Sequence, residues 1–188
     1  MNDKLAVCLD MAKVSDRNAA LVLTPALQHL GHNPADFNIN RSSIRRERMK
    51  CRHRIAKSLK AGFKPTVPLT IHWDGKLLED ISSTNIVDRL PILVSGLGVD
   101  QLLCVPKLPS GNGEAAAEAV YAATVAWGIS DEVKCMCFDT ASLNSGPRNG
   151  ACILLEQKLD KDLLWFACRR HILEIVLEAT LTHSLGPS

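Results

Sequence analysis

Apolar residues fall at i, i+3, i+4 and i+7 in Leu5, Cys8, Leu9 and Ala12, the spacing that gathers side chains on one face of a helix. Ser15 and Asp16 offer N-cap chemistry for a second helical stretch, Ala19 to Leu30, with Pro25 expected in a first turn or at a kink. Gly31-His-Asn-Pro34 ends that unit. Residues 41–61 return to the helical period with a thin apolar stripe, Ile44, Met49, Ile55 and Leu59, and with Ser42 or Ser43 as the expected N-cap. Beyond Gly62-Phe-Lys-Pro65 and Pro68, a linker by composition, the pattern becomes strand-like.

Leu69 to Trp73, Leu90 to Ser95 and Gln101 to Lys107 read as three strands, with Gly75-Lys76 as a turn, and their short connections favour antiparallel pairing. Pro109-Ser-Gly-Asn-Gly113 interrupts the sheet, and an alanine-rich helix follows from Glu114 to Trp127, stopped by Gly128. Val133 to Phe138 is a strand, Asn144 to Gly150 a loop, Ala151 to Leu159 a helix, Leu163 to Ala167 a strand, and His171 to Leu181 a last helix. The order β-β-β-α-β-α-β-α is that of a ribonuclease H-like α/β fold with a mixed sheet. The expected organisation is a helical region over residues 1–64 followed by the ribonuclease H-like domain over residues 65–188.

Length and composition suit this reading, since 188 residues with 46% hydrophobic and 22% charged side chains can bury a core without disulfides or metal. The seven cysteines form no paired framework, no apolar run is long enough to cross a bilayer, and no secretory leader is recognisable. A reducing interior, nuclear or cytoplasmic, is therefore expected, without membrane association.

The net charge of +2 conceals a segregation. From Arg41 to Lys60 there are nine Lys or Arg residues against one acid, Glu47, a local net of +8. Such a block points to a polyanionic partner, and DNA is the expected one, with Arg45, Arg46, Arg48, Lys50, Arg52 and Arg54 as candidate phosphate contacts. The same block would serve as a nuclear localisation patch or a solvated face. No aromatic side chains interleave it, so base stacking is not indicated.

Two strand-like runs each deliver an aspartate, Asp74 after Leu69-Thr-Ile-His-Trp and Asp139 after Val133-Lys-Cys-Met-Cys-Phe. In a ribonuclease H-like sheet the first and fourth strands are neighbours, which would set the two carboxylates side by side. A Mg²⁺ or Mn²⁺ ion would neutralise such a pair, and two metals about 4 Å apart could activate a nucleophile and stabilise the leaving oxygen of a phosphodiester. The alternative use of the same residues is local, Asp74 in an Asp-Gly turn and Asp139 in an Asx-turn or cap.

The segment from Phe138-Asp-Thr-Ala-Ser-Leu-Asn-Ser to Ala151-Cys-Ile-Leu-Leu-Glu, followed by Leu163-Leu-Trp-Phe-Ala-Cys-Arg-Arg-His171, resembles transposable-element-derived proteins. These are similar to the hobo–Activator type and allied eukaryotic DDE transposases, whose second Asp is followed by a Cys-x-x-His element. Ser15-Asp-Arg-Asn-Ala-Ala-Leu and Ile44-Arg-Arg-Glu-Arg resemble the helical region before their catalytic core. The resemblance implies Asp74 and Asp139 as the first two catalytic carboxylates, and Cys168 with His171 as the Cys-x-x-His pair. It also implies a third acid, a Glu on a late helix. Glu174 and Glu178 come too early for it, so the expectation is a truncated, catalytically incomplete core that keeps nucleic-acid binding.

Three other assignments complete the set. Glu114 and Glu118 could stand in for the missing acid, making a small Mg²⁺-dependent nuclease, although acids there also complement the helix dipole. Zinc at Cys168 and His171 with Cys135 and Cys137 is disfavoured against core packing, because two separated half-motifs lack the spacing of a structural site. Ser110-Gly-Asn-Gly113 lacks the Lys-Ser/Thr of a P-loop, and Arg148 is a phosphate contact only by its place in a loop. A noncatalytic protein-interaction module is the rival class, and homo-oligomerisation stays open.

Overall fold

In a computed structural model the chain divides into two compact units, Met1–Phe63 and Lys64–Ser188. The structure describes residues 2–79 and 86–186.

The first unit is helical: α1 (Asp3–Met11), α2 (Asp16–His29) and α3 (Arg41–Gly62), with a single 3₁₀ turn at Pro34–Asp36. Asn2 and Ser15 accept the N–H groups of Leu5 and Asn18 and so cap α1 and α2. Because Ser15 starts α2 at Asp16, Pro25 falls inside the helix and not in its first turn. The cap of α3 also differs from expectation. Asn40, not Ser42 or Ser43, is the N-cap: its side chain accepts the Ser43 N–H at 2.9 Å, and Ser43 Oγ accepts the Asn40 N–H at 3.1 Å. This reciprocal box satisfies two groups that a lone serine cap would leave open.

Leu9, Ala19 and Ile44 form the core of this unit, with Leu5, Val14 and Leu23 packed around them. Of the apolar stripe expected on α3, Met49 and Leu59 are exposed. Their place on the inner face is taken by Arg48, 6% exposed, and Cys51, 3% exposed.

The second unit is a mixed α/β structure. Its strands are β1 (Leu69–Trp73), β2 (Lys76–Glu79), β3 (Ile86–Arg89), β4 (Ile92–Gly96), β5 (Val99–Cys104), β6 (Val133–Phe138) and β7 (Leu164–Ala167). Its helices are α4 (Gly113–Trp127), the short α5 (Ser142–Ser145), α6 (Ala151–Leu159) and α7 (Arg169–Leu185). Five strands form one sheet in the order β5-β4-β1-β6-β7. β1 runs antiparallel to β4 and parallel to β6, and β7 is parallel to β6. The crossover β5-α4-β6 is headed by Asn112, whose side chain accepts the Ala115 N–H, and closed by Gly128 in the left-handed region at φ 63°.

Alternation assigns the faces. Leu69, Ile71 and Trp73 of β1, Ile92 and Val94 of β4, and Met136 and Phe138 of β6 are buried. Ala117 and Val120 of α4 and Cys152 and Leu155 of α6 complete this core at 0% exposure. Thr70, His72, Cys135 and Cys137 occupy the other, half-buried face. β7 is exposed along its length, and α7 buries no residue.

The pattern reading missed β2 and β3, a hairpin paired from Lys76↔Arg89 to Glu79↔Ile86 in a sheet of its own. Gly75-Lys76 therefore leads into this hairpin and does not connect β1 directly to β4. Among the described residues no helix is long and apolar enough to cross a membrane.

Candidate functional site

The register of the central strands places the two aspartates. β1 and β6 pair up to His72↔Cys137, and the next residues, Trp73 and Phe138, stack with ring centroids 5.5 Å apart. Asp74 and Asp139 follow immediately, each at the C-terminal end of its strand, and the strands are parallel neighbours. The open edge beyond the C-terminal ends of parallel strands is where α/β sheets place ligands.

Asp139 is held by a short relay. Its Oδ1 accepts the Ala141 N–H at 3.0 Å and the Asn144 amide at 2.6 Å. Asn144 is 3% exposed, and its own Oδ1 accepts the Trp73 indole N–H at 2.9 Å. The chain Trp73–Asn144–Asp139 thus ties the end of β1 to the end of β6 through a buried amide. The local use of Asp139 as an Asx-turn residue is realised, and it engages one oxygen. Among the described residues Oδ2 accepts no hydrogen bond.

Asp74 is exposed and pairs through Oδ2 with Lys76 Nζ at 2.7 Å. That contact raises the Lys76 pKa above its ordinary value, with Glu174 and Asp139 adding smaller contributions. Three acids from β1, β6 and α7 therefore act on one ammonium. A cavity of about 280 Å³ beside them is lined by Trp73, Leu90, Leu108, Asp139, Asn144 and also Asp88 of β3. The Asp88 carboxylate reaches close to Gly75 and Gly111, where added Cβ atoms would lie 3.7 and 3.3 Å from its oxygens. The sequence reading passed over Asp88, Asn144 and Lys76. Asp88 lies in the missed hairpin, whereas Asn144 stands only five residues after Asp139, within reach of a local side-chain hydrogen bond that could have been found.

The other candidates lie apart from this pair. Glu114 and Glu118 line a groove with Lys107 and Ser110 that neither aspartate lines, and Glu118 pairs with Lys158 of α6 at 2.6 Å. Cys168 holds the N-cap position of α7 without a side-chain cap, donates its N–H to the Phe138 carbonyl at 2.8 Å, and meets Cys137 on the neighbouring strand. His171 Nδ1 lies 4.0 Å from Glu174 on the same helix. Burial raises the Cys137 thiol pKa, with Cys168 adding to it, and pushes the fully buried Cys152 up to about 12. Among the described residues no three His, Cys, Asp or Glu side chains converge in an arrangement that could hold a metal ion. Arg148 is exposed in the loop before α6.

On α3 the cations divide into two groups. Arg48 is buried and binds Asp10, Asp16 and the Val14 carbonyl. Arg52 grips both Asp10 oxygens at 2.7 Å, Arg54 binds Asp3, and Lys50 pairs with Glu47 at 2.8 Å. Hydrogen bonds from Arg52, then Arg48, hold Asp10 at a pKa of about 2, against burial that pushes the other way. Arg41, Arg45, Arg46, Lys57 and Lys60 are exposed and have no ionic partner among the described residues. They are the part of the block left to face a polyanion.

Comparison with protein-family models finds no match. No similar protein is found among curated sequences either. The functional reading therefore rests on the residues and their geometry.

Proposed function

We propose that the chain is a transposase-derived, ribonuclease H-like protein that binds DNA and does not cleave it as it stands. The fold part of this reading is supported by the strand arrangement. With the β2–β3 hairpin set aside, the first strand lies between the second and fourth, and the fifth lies outside the fourth, the order of a ribonuclease H-like sheet. The adjacency of the strands that end before Asp74 and Asp139 supports reading these two as the first carboxylates of a DDE core. In that lineage a Mg²⁺ or Mn²⁺ ion would lie between them and supply the charge for strand transfer.

One observation carries the noncatalytic part: Lys76 already supplies a positive charge at Asp74. An ammonium paired with one of two carboxylates offsets half of their charge and so weakens the pull on a divalent ion. The DNA-binding part is carried by the five unengaged cations of α3, which suit backbone contacts that are indifferent to sequence.

The test is fluorescence anisotropy of a labelled duplex against salt, with a parallel cleavage assay in Mg²⁺ and Mn²⁺. Five phosphate contacts would give a log–log salt slope of about −4.5. Replacing Arg45, Arg46, Lys57 and Lys60 with Ala should remove most of it. Absence of salt-sensitive binding would reject the DNA role. Metal-dependent cleavage abolished by Asp139→Asn would reject the noncatalytic one and favour a small nuclease.

A further inference from the structure

A second charged feature lies in the first unit, on the side of α3 that faces the start of α2. Arg17, Arg41, Arg48 and Arg52 line one cavity of about 480 Å³, with Val14, Ser15 and Asp16 as the remaining wall. Four guanidinium groups meet one carboxylate in that lining. Asp10, which joins the network from behind, brings the local balance to +2.

The donors are unevenly engaged. Arg48 uses four of its five N–H groups on Asp10, Asp16 and the Val14 carbonyl, so it forms a rigid floor. Arg52 uses two on Asp10 and keeps three. Arg17 and Arg41 are exposed and donate to no described residue. The one acid in the wall, Asp16, opposes an anion, but its Oδ1 is held by Arg48 at 2.7 Å. What remains is a concave site in which three arginines present free, fork-shaped donors around a fourth that is fixed.

We propose that this cavity binds a phosphate group. Planar guanidinium forks match phosphate oxygens in a bidentate way that lysines do not. A floor fixed by Arg48 lowers the entropy lost on binding. The phosphate has two possible sources, a nucleic-acid backbone or a free phosphate. The backbone source rests on the DNA-binding reading above, whereas the site itself does not.

The experiment uses the full chain and two probes, inorganic phosphate and a labelled duplex. Phosphate binding is read from arginine Nε–Hε chemical shifts, and duplex binding from anisotropy against salt. Arg17→Ala with Arg41→Ala is the informative variant, because neither side chain supports the fold. Saturable shifts at Arg17, Arg41 and Arg52 are expected with phosphate. The double variant should abolish them and reduce the duplex salt slope by about 2. Duplex binding whose slope falls by only about 0.9, the share of Arg41 as one of the five unengaged cations of α3, with no shifts with phosphate, would overturn the inference and leave the DNA reading standing. Phosphate shifts without any duplex binding would reject the DNA reading and assign the site to a free phosphate. Silence in both arms rejects both.

Discussion

The amide of Asn144 donates to Asp139 Oδ1 across 2.6 Å while remaining 3% exposed. A buried amide in that position has both of its ends engaged, because its oxygen takes the Trp73 indole N–H at 2.9 Å. Removing it leaves a buried donor without a partner, and such a group costs about 1–3 kcal/mol. Asn144→Ala should therefore lower the stability of the second unit by about 2 kcal/mol in urea titration. Asn144→Gln, which keeps the chemistry and shifts the geometry, should fall between the two. An unchanged midpoint for Asn144→Ala would show that the relay does not hold the strand ends together.

Gly113 opens α4 where two carbonyls converge. A Cβ there would lie 2.6 Å from the Leu143 oxygen and closer still to that of Asn149. Both are backbone atoms, so neither can rotate away, and relief requires α4 to separate from the loop after Asp139. Gly113→Ala should cost about 3 kcal/mol, the upper end for an overpacked site. It should also weaken the protection of the Asn144 side-chain amide from hydrogen exchange. Gly111→Ala meets only the end of the Asp88 side chain, at 3.3 Å, and should be nearly neutral.

This contrast also marks what the sequence could disclose. Leu69, Ile71 and Trp73 alternate with half-buried residues, and Met136 and Phe138 do the same, so β1, β6 and the acids after them were legible from period alone. The β2–β3 hairpin was not, because each strand has four residues and Leu77, Leu78 and Ile86 are exposed, and one buried residue, Val87, is too little to produce a period. Asp88 was lost with it. On α3 a local charge count gave the block its sign but not its use. Arg48 finds Asp10 and Asp16 at separations of 38 and 32 residues, and only tertiary packing reveals that. The helix of α7 was legible, whereas its exposure was not, since an apolar helix ordinarily indicates burial.

Arg52 and, after it, Arg48 make the first unit acid-sensitive through Asp10. The folded pKa of Asp10 is held at about 2, below its ordinary 3.8, so its contribution to stability is complete above pH 4 and disappears as pH falls through 2. Far-ultraviolet circular dichroism of the helices should show the loss in that window. At pH 7, Arg48→Met leaves Asp16 and the Val14 carbonyl unpaired and should cost about 3 kcal/mol. In a unit of this size that corresponds to about 15 °C in Tm. Arg45→Met, which breaks no pair, should leave Tm within about 2 °C. Equal effects of the two substitutions would contradict the division of α3 into structural and unengaged cations.

Lys76 reports on the carboxylate edge directly. Its pKa is raised chiefly by Asp74, with Glu174 and Asp139 contributing less. In an NMR titration of the lysine side chain, Asp74→Asn should return Lys76 most of the way to its ordinary value. Asp139→Asn and Glu174→Gln should each produce a smaller fall, because their influence crosses a longer distance through solvent. The Glu174 result is the sensitive one, since it reads whether α7 lies beside the two strand ends. A raised Lys76 that ignores Glu174→Gln would place α7 elsewhere. The same ammonium sets a competition: a divalent ion entering between Asp74 and Asp139 must displace it or accept its repulsion. Lys76→Met should therefore strengthen Mn²⁺ binding at this edge over the parent chain in calorimetry, and equal affinities would remove Lys76 as the reason for a silent site.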